Sequence, residues 1–133
     1  MKVLIIIPAY NEEESIEKVI NNLKQNYSQY DYVIINDGSH DHTSEICHKN
    51  KYKIIDLPVN LGLTGAFQTG LKYAYKKGYD YAIQFDADGQ HLPEYIPAMV
   101  DKIEEGYDMV IGSRFVEKPK PRSLRMLGSR VIS

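Results

Sequence analysis

Apolar residues come in two rhythms along this chain. Val3-Leu4-Ile5-Ile6-Ile7 is an unbroken, mostly β-branched run, as expected of a strand covered on both faces. Ile16, Val19, Ile20 and Leu23 then recur at helical spacing. Asn11 is the expected cap of that helix, with Glu12, Glu13 and Glu14 in its first turn at the positive end of the dipole. Tyr32-Val33-Ile34-Ile35 reads as a second strand, ending in the turn signature Asn36-Asp37-Gly38-Ser39. A short helix from Thr43 to His48 and a weak strand at Lys53-Ile54-Ile55 follow. Asn60 is placed to cap a helix that carries Leu63, Phe67, Leu71 and Ala74 on one face and stops at Gly78. Tyr81 to Phe85 is a fourth strand. Pro93 opens a helix with Ile96, Met99, Val100 and Ile103, and Met109-Val110-Ile111 is a fifth strand. Alternating strands and helices predict an α/β fold, a mostly parallel sheet with flanking helices and right-handed crossovers.

Composition narrows the picture only slightly. The 133 residues make one domain, 43% hydrophobic and 26% charged, which is ordinary for a globular protein. A net charge of −2 argues against general nucleic-acid affinity. The single cysteine, Cys47, rules out an intrachain disulfide framework and fits a reducing compartment. No run of 18 apolar residues is present, and the first apolar stretch is too short for a signal peptide, so a cytoplasmic protein is expected.

The chemistry is concentrated where strands end. Asp86-Ala87-Asp88 leaves the fourth strand with two carboxylates at i and i+2, on one side of an extended backbone. Such hard oxygen donors suit Mg²⁺ or Mn²⁺, ions that also bind diphosphates, and Gln90 is close enough in sequence to join the same shell. Pro8-Ala9-Tyr10-Asn11-Glu12, Asn36-Asp37-Gly38-Ser39 and Gly112-Ser113-Arg114 also follow strands directly. In an open parallel sheet all four clusters meet beyond the carboxyl ends of the strands, where ligands bind. Taken singly, each has a plain structural explanation: a strand exit, a turn, a solvated arginine. Neither Gly-x-Gly-x-x-Gly nor Gly-x-x-x-x-Gly-Lys-Ser/Thr occurs, so a diphosphate would be held by metal and Arg114, and a nucleotide sugar is the indicated ligand.

Pro8-Ala9-Tyr10-Asn11-Glu12, Asn36-Asp37-Gly38-Ser39-His40-Asp41, Asn60-Leu61-Gly62-Leu63, Asp86 through Glu94 and Gly112-Ser113-Arg114 come in an order that resembles glycosyltransferase family 2. The nearest likeness is to its dolichyl- or polyprenyl-phosphate sugar transferases. The resemblance implies the GT-A (nucleotide-diphospho-sugar transferase) fold and inverting transfer from a UDP- or GDP-sugar with Mg²⁺ or Mn²⁺. It also implies residue roles. Pro8, Ala9, Tyr10 and Glu12 line the nucleotide pocket, and Asp37 hydrogen-bonds the base. Asp86 and Ala87 lie near ribose and sugar, Asp88 binds the metal on the diphosphate, and Arg114 faces phosphate. Asp88 and Arg114 are thus the expected catalytic pair, and Asp86, Asp88 and Gln90 the metal set. Asn36 departs from the pattern, standing where the family often has a second aspartate. His91 is read equally well as a helix-entrance residue and as a ligand or base.

A phosphate acceptor needs no general base, since its second pKa is about 6 and it is an anion at neutral pH. No convincing base is evident, which fits a lipid-phosphate acceptor and fits equally a base lying after Ser133. The final stretch, residues 115–133, carries Lys118, Lys120, Arg122, Arg125 and Arg130 against Glu117, a net charge of +4. With Leu124, Met126 and Leu127 it starts an amphipathic pattern that then stops, so a C-terminally truncated domain is expected, with this segment opening the acceptor side. Peripheral contact with the cytoplasmic face of a membrane and a homodimer through the segment are the associated expectations; a solvated terminus is the plain alternative. Other functions stay open: transfer to polysaccharide or protein hydroxyls, or a nucleotide-binding module without activity of its own; a nucleotidyltransferase of the same fold class calls for a glycine- and basic-rich loop after the first strand, which Pro8-Ala9-Tyr10-Asn11 is not.

Overall fold

The computed structural model describes residues 2–85, 87 and 116–117. Its strands are β1 (Val3–Ala9), β2 (Asp31–Asn36), β3 (Ile54–Asp56), β4 (Tyr81–Gln84) and β5 (Val116–Glu117). They form one sheet in the order β3-β2-β1-β4-β5. The first four are parallel, and β5 runs antiparallel to β4. Helices α1 (Ile16–Asn26), α2 (Thr43–Lys49) and α3 (Gly62–Lys76) make the crossovers. The expected strand at 109–111 and helix after Pro93 lie outside the described residues.

The unbroken apolar run of β1 is explained by its place in the centre. Val3, Ile5, Ile7 and Ala9 pack with Ile16, Val19, Ile20 and Leu23 of α1 and Cys47 of α2. Leu4 and Ile6 point to the other face, against Ala66, Phe67, Leu71 and Ala74 of α3. Full burial of each large aliphatic side chain contributes about 1.5–3 kcal/mol. Gly70 lets α3 approach β1 closely, since a Cβ there would collide with the buried Ile6 side chain.

Helix α3 ends as the sequence predicts. Gly78 has φ 78°, Gly78 N–H donates to Tyr75 C=O at 3.2 Å, and Tyr79 N–H donates to Ala74 C=O at 3.0 Å. That is a Schellman ending. The helix starts differ from expectation. Helix α1 begins at Ile16, so Glu12, Glu13 and Glu14 form the turn before it. Asn11 does not cap it: Asn11 sits at φ 54°, and its Oδ1 accepts from His40 N–H at 2.8 Å. Nor does Asn60 cap α3. Its Nδ2 donates to Asp37 C=O at 3.1 Å, and the cap comes from elsewhere.

Candidate functional site

The strand order reverses beside β1, with β2 on one side and β4 on the other. A ligand crevice is expected at such a switch point, beyond the carboxyl ends of the strands. A cavity of about 270 Å³ opens there. Its lining brings Pro8, Ala9, Tyr10 and Glu12 from the β1 exit together with Asp37 from the β2 exit and Ala87 after β4. All six were expected at the site from the sequence. Asp86, Asp88, Gln90 and Arg114 lie outside the described residues.

Asp37 is buried, at 4% exposure. Its Oδ1 accepts from Leu61 N–H at 2.7 Å and its Oδ2 from Gly62 N–H at 3.0 Å. The carboxylate therefore satisfies the free backbone donors at the start of α3, where negative charge is also favoured by the helix dipole. Helix α3 has no local side-chain cap, because Asp37 supplies one from 25 residues away. Each carboxylate oxygen retains a second lone pair, so the cap leaves capacity for a ligand donor.

Gly38 makes this arrangement possible. It has φ 71°, and a Cβ would sit 2.6 Å from Asn60 N and 2.7 Å from Val59 C. Only glycine lets the two backbones meet and bring Asn60, Gly62 and Leu63 into the cavity wall. These three residues belong to the Asn60-Leu61-Gly62-Leu63 motif noted in the sequence, but no site role was expected of them. Asn60 reads as a local cap of α3, so nothing in that window points to Asp37 as its partner.

The β1 and β2 exits are clasped by side chain to backbone bonds. Asn11 N–H donates to Ser39 Oγ, and Glu12 N–H to Thr43 Oγ1, each at 2.9 Å. Glu13 N–H donates to Asp41 Oδ2 at 3.2 Å, and Thr43 N–H to Asp41 Oδ1 at 2.9 Å. Burial would raise the Asp41 pKa, but the hydrogen bonds from Thr43 and Glu13 outweigh it and hold the carboxyl below its ordinary range. On the other side, Ser15 Oγ donates to Ala87 C=O at 2.6 Å, tying the residue between the two aspartates to the start of α1. Tyr10, 42% exposed, stands at the rim with its ring edge-on to His40.

The described lining contains two carboxylates, Glu12 and Asp37, and no cationic side chain. A diphosphate bound there requires positive charge from outside that set. Among the described residues no group of three or more His, Cys, Asp or Glu is arranged to hold a metal.

Comparison with known proteins places this geometry in a family. The model of glycosyl transferase family 2 matches residues 4–130. A UDP-N-acetylglucosamine–dolichyl-phosphate N-acetylglucosaminyltransferase of Methanococcus voltae is 40% identical, the match covering 89% of this chain and 53% of that protein. A dolichol-phosphate mannosyltransferase of Pyrococcus furiosus is 39% identical, over 90% of this chain and 35% of that one. The chain thus spans about half the length, or less, of these relatives. Among solved structures, S. aureus TarS residues 1–349 superimposes with a TM-score of 0.67 at 25% identity, covering 84% of this chain and 35% of that one. Glucosyl-3-phosphoglycerate synthase from Mycobacterium tuberculosis, in complex with UDP, shares the fold with a TM-score of 0.70 at 21% identity, covering 85% of this chain and 44% of that one. The motif order, the GT-A architecture and the relatives agree, and the chain belongs to glycosyl transferase family 2.

Proposed function

We propose that this chain forms the donor-binding part of a glycosyltransferase that moves a sugar from a UDP- or GDP-sugar to a polyprenyl or dolichyl phosphate, with inversion. The observation that carries the reading is the acidic cavity at the switch point, lined by Glu12 and Asp37 and reached by Ala87. TarS in complex with UDP-GlcNAc, at a TM-score of 0.68 and 25% identity, supports a nucleotide sugar as the ligand. The dolichyl-phosphate relatives support the acceptor. A lipid-linked acceptor would put the reaction at a membrane surface, the cytoplasmic face being the expected one. Among the described residues no helix is long and apolar enough to cross that membrane.

The donor set fits a divalent metal. Asp86 and Asp88 flank Ala87 in the chain, and the Ser15 bond fixes Ala87 against the cavity. Their oxygens, with Gln90, would hold Mg²⁺ or Mn²⁺, as hard cations prefer. Mn²⁺ with UDP in the M. tuberculosis synthase is consistent with this choice. When bound, such an ion supplies positive charge for the departing nucleoside diphosphate.

The remaining work falls to the chain itself. Pro8, Ala9 and Tyr10 bound the nucleotide against the sheet edge. Asp37, with both oxygens already oriented, presents its spare lone pairs to ring N–H groups of uracil or guanine. Arg114 pairs with phosphate of donor or acceptor, as a guanidinium fork does well. The acceptor phosphate attacks the anomeric carbon from the face opposite the diphosphate, and the carbon–oxygen bond to the diphosphate breaks. No base is required, because the nucleophile is already an anion.

The test is calorimetry with UDP and GDP in Mn²⁺ or in EDTA, using wild type and Asp88→Ala. Both EDTA and the substitution are expected to weaken the preferred nucleotide by tenfold or more, about 1.4 kcal/mol. Unchanged affinity in both would sink the metal-site assignment. Asp37→Ala should weaken the nucleoside monophosphate as well as the diphosphate; a loss confined to the diphosphate would put Asp37 at the phosphates instead.

A further inference from the structure

At the opposite end of the sheet, the amino ends of β2, β3 and β4 meet the carboxyl ends of α1 and α2. A second cavity, of about 610 Å³, opens there, within the size range of small-molecule sites. Its lining includes Tyr30, Tyr32 and Tyr52, the lysines Lys24, Lys51 and Lys53, and the buried apolar residues Ile5 and Leu23. Asp31 is the acid on this lining, set against three lysines, and its Oδ2 accepts from Tyr79 Oη at 2.7 Å. The two ion pairs found among the described residues, His42–Glu13 and His48–Asp56, involve none of the three lysines. Lys24 Nζ lies 5.4 Å from the centroid of the Tyr52 ring.

Lys51 lines this cavity from a left-handed backbone position. It follows α2 at φ 59°, with its N–H donating to His48 C=O at 3.1 Å and Tyr52 N–H to Cys47 C=O at 2.9 Å. This is the same helix ending that α3 makes with Gly78, but here a lysine holds the left-handed position that favours glycine. Lys51 is one of three lysines among the lining residues.

We propose that this cavity binds a small ring-bearing organic anion, an aromatic or similarly planar body with a phosphate, sulfonate or carboxylate group. The tyrosine rings offer faces and edges for stacking against the body. The lysines neutralise the acid group, and Leu23 covers the apolar part. The proposal is separate from the transferase reading, since no residue of this cavity belongs to the acidic pocket.

Phenyl phosphate is a suitable probe, followed by amide NMR shifts of the 133-residue chain. Saturable shifts are expected at Tyr30, Tyr32 and Lys53, with phenol or inorganic phosphate alone at least about tenfold weaker, since each supplies half of the recognition. Lys51→Gly relieves the strained backbone, so this variant is expected to melt higher than wild type and yet bind phenyl phosphate about fivefold less tightly. Lys51→Arg should retain binding. The absence of saturable shifts, shifts at Gly38 and Gly62 instead, or unchanged affinity in Lys51→Gly would each overturn the proposal.

Discussion

Asn36 Nδ2 donates to Asp56 Oδ1 at 2.8 Å, joining the last residue of β2 to the last residue of β3. The same asparagine accepts Ser39 N–H at 3.2 Å through its Oδ1, so both ends of the amide are used. This accounts for the departure from the family's usual aspartate: a second carboxylate at 36 would face Asp56 with no proton between them. Asn36→Asp is therefore expected to lower stability by about 1–3 kcal/mol, the cost of breaking a buried polar contact. Asp56→Asn in that background should recover most of the loss. Urea denaturation of the four proteins checks this, and strictly additive effects would refute the coupling.

Gly38→Ala should damage the site and the fold together. The added methyl meets the backbone of Val59 and Asn60 at a positive φ. Left-handed strain and overpacking together suggest a loss of about 2–4 kcal/mol. Nucleotide affinity should fall with it, because Asp37 would lose its grip on Leu61 and Gly62. A variant of wild-type stability would show that the two loops can separate freely.

Lys51→Gly is expected to stabilise the chain by about 0.5–1.5 kcal/mol, less than the full left-handed penalty because glycine gains freedom in the unfolded state. Chemical denaturation measures it directly. A loss of stability would mean that the lysine side chain contributes packing that outweighs the strain.

Acid should loosen the clasp between the β1 and β2 exits. Asp41 and Asp56 both have depressed pKa values; for Asp56, too, burial works upward and is outweighed by hydrogen bonds from Asn36, His48 and Ser44. A depressed carboxylate stabilises the fold above its unfolded pKa of about 4 and loses that contribution as pH falls through the folded value. His42, raised by its bond to Glu13, has the opposite sign: its contribution is present at low pH and fades as pH rises through the folded value. Asp41→Asn is expected to lower stability at pH 7 and to flatten the slope of stability between about pH 5 and 2. An unchanged slope would remove Asp41 from the acid transition.

Much of this was readable from the chain because its strongest signals are local. The β1 run, the Ile16–Leu23 stripe and the Gly78 stop depend on near neighbours in sequence, and each lies where the periodicity puts it. The pocket residues Pro8, Tyr10, Glu12 and Asp37 were legible because parallel strands bring all their exits to one edge. The helix starts were less so. Asn11 and Asn60 have the right chemistry for capping their own helices, but both are committed to partners across the sheet edge. Asp37 capping α3 and Asp41 receiving Glu13 are contacts between separate crossovers, and no sequence window contains both partners.

The place of β1 in the middle of the sheet also bears on how the protein is made. Val3 pairs with Tyr81, so one edge of the central strand stays open until β4 leaves the ribosome. By then β2, β3 and α3 have emerged, and Asp37 already has Gly62 within reach. The half of the pocket built on β2 can thus assemble on the nascent chain before the half that carries Ala87 exists. Pairing across so long a stretch is slow, and until it occurs that edge of β1 lacks its strand partner.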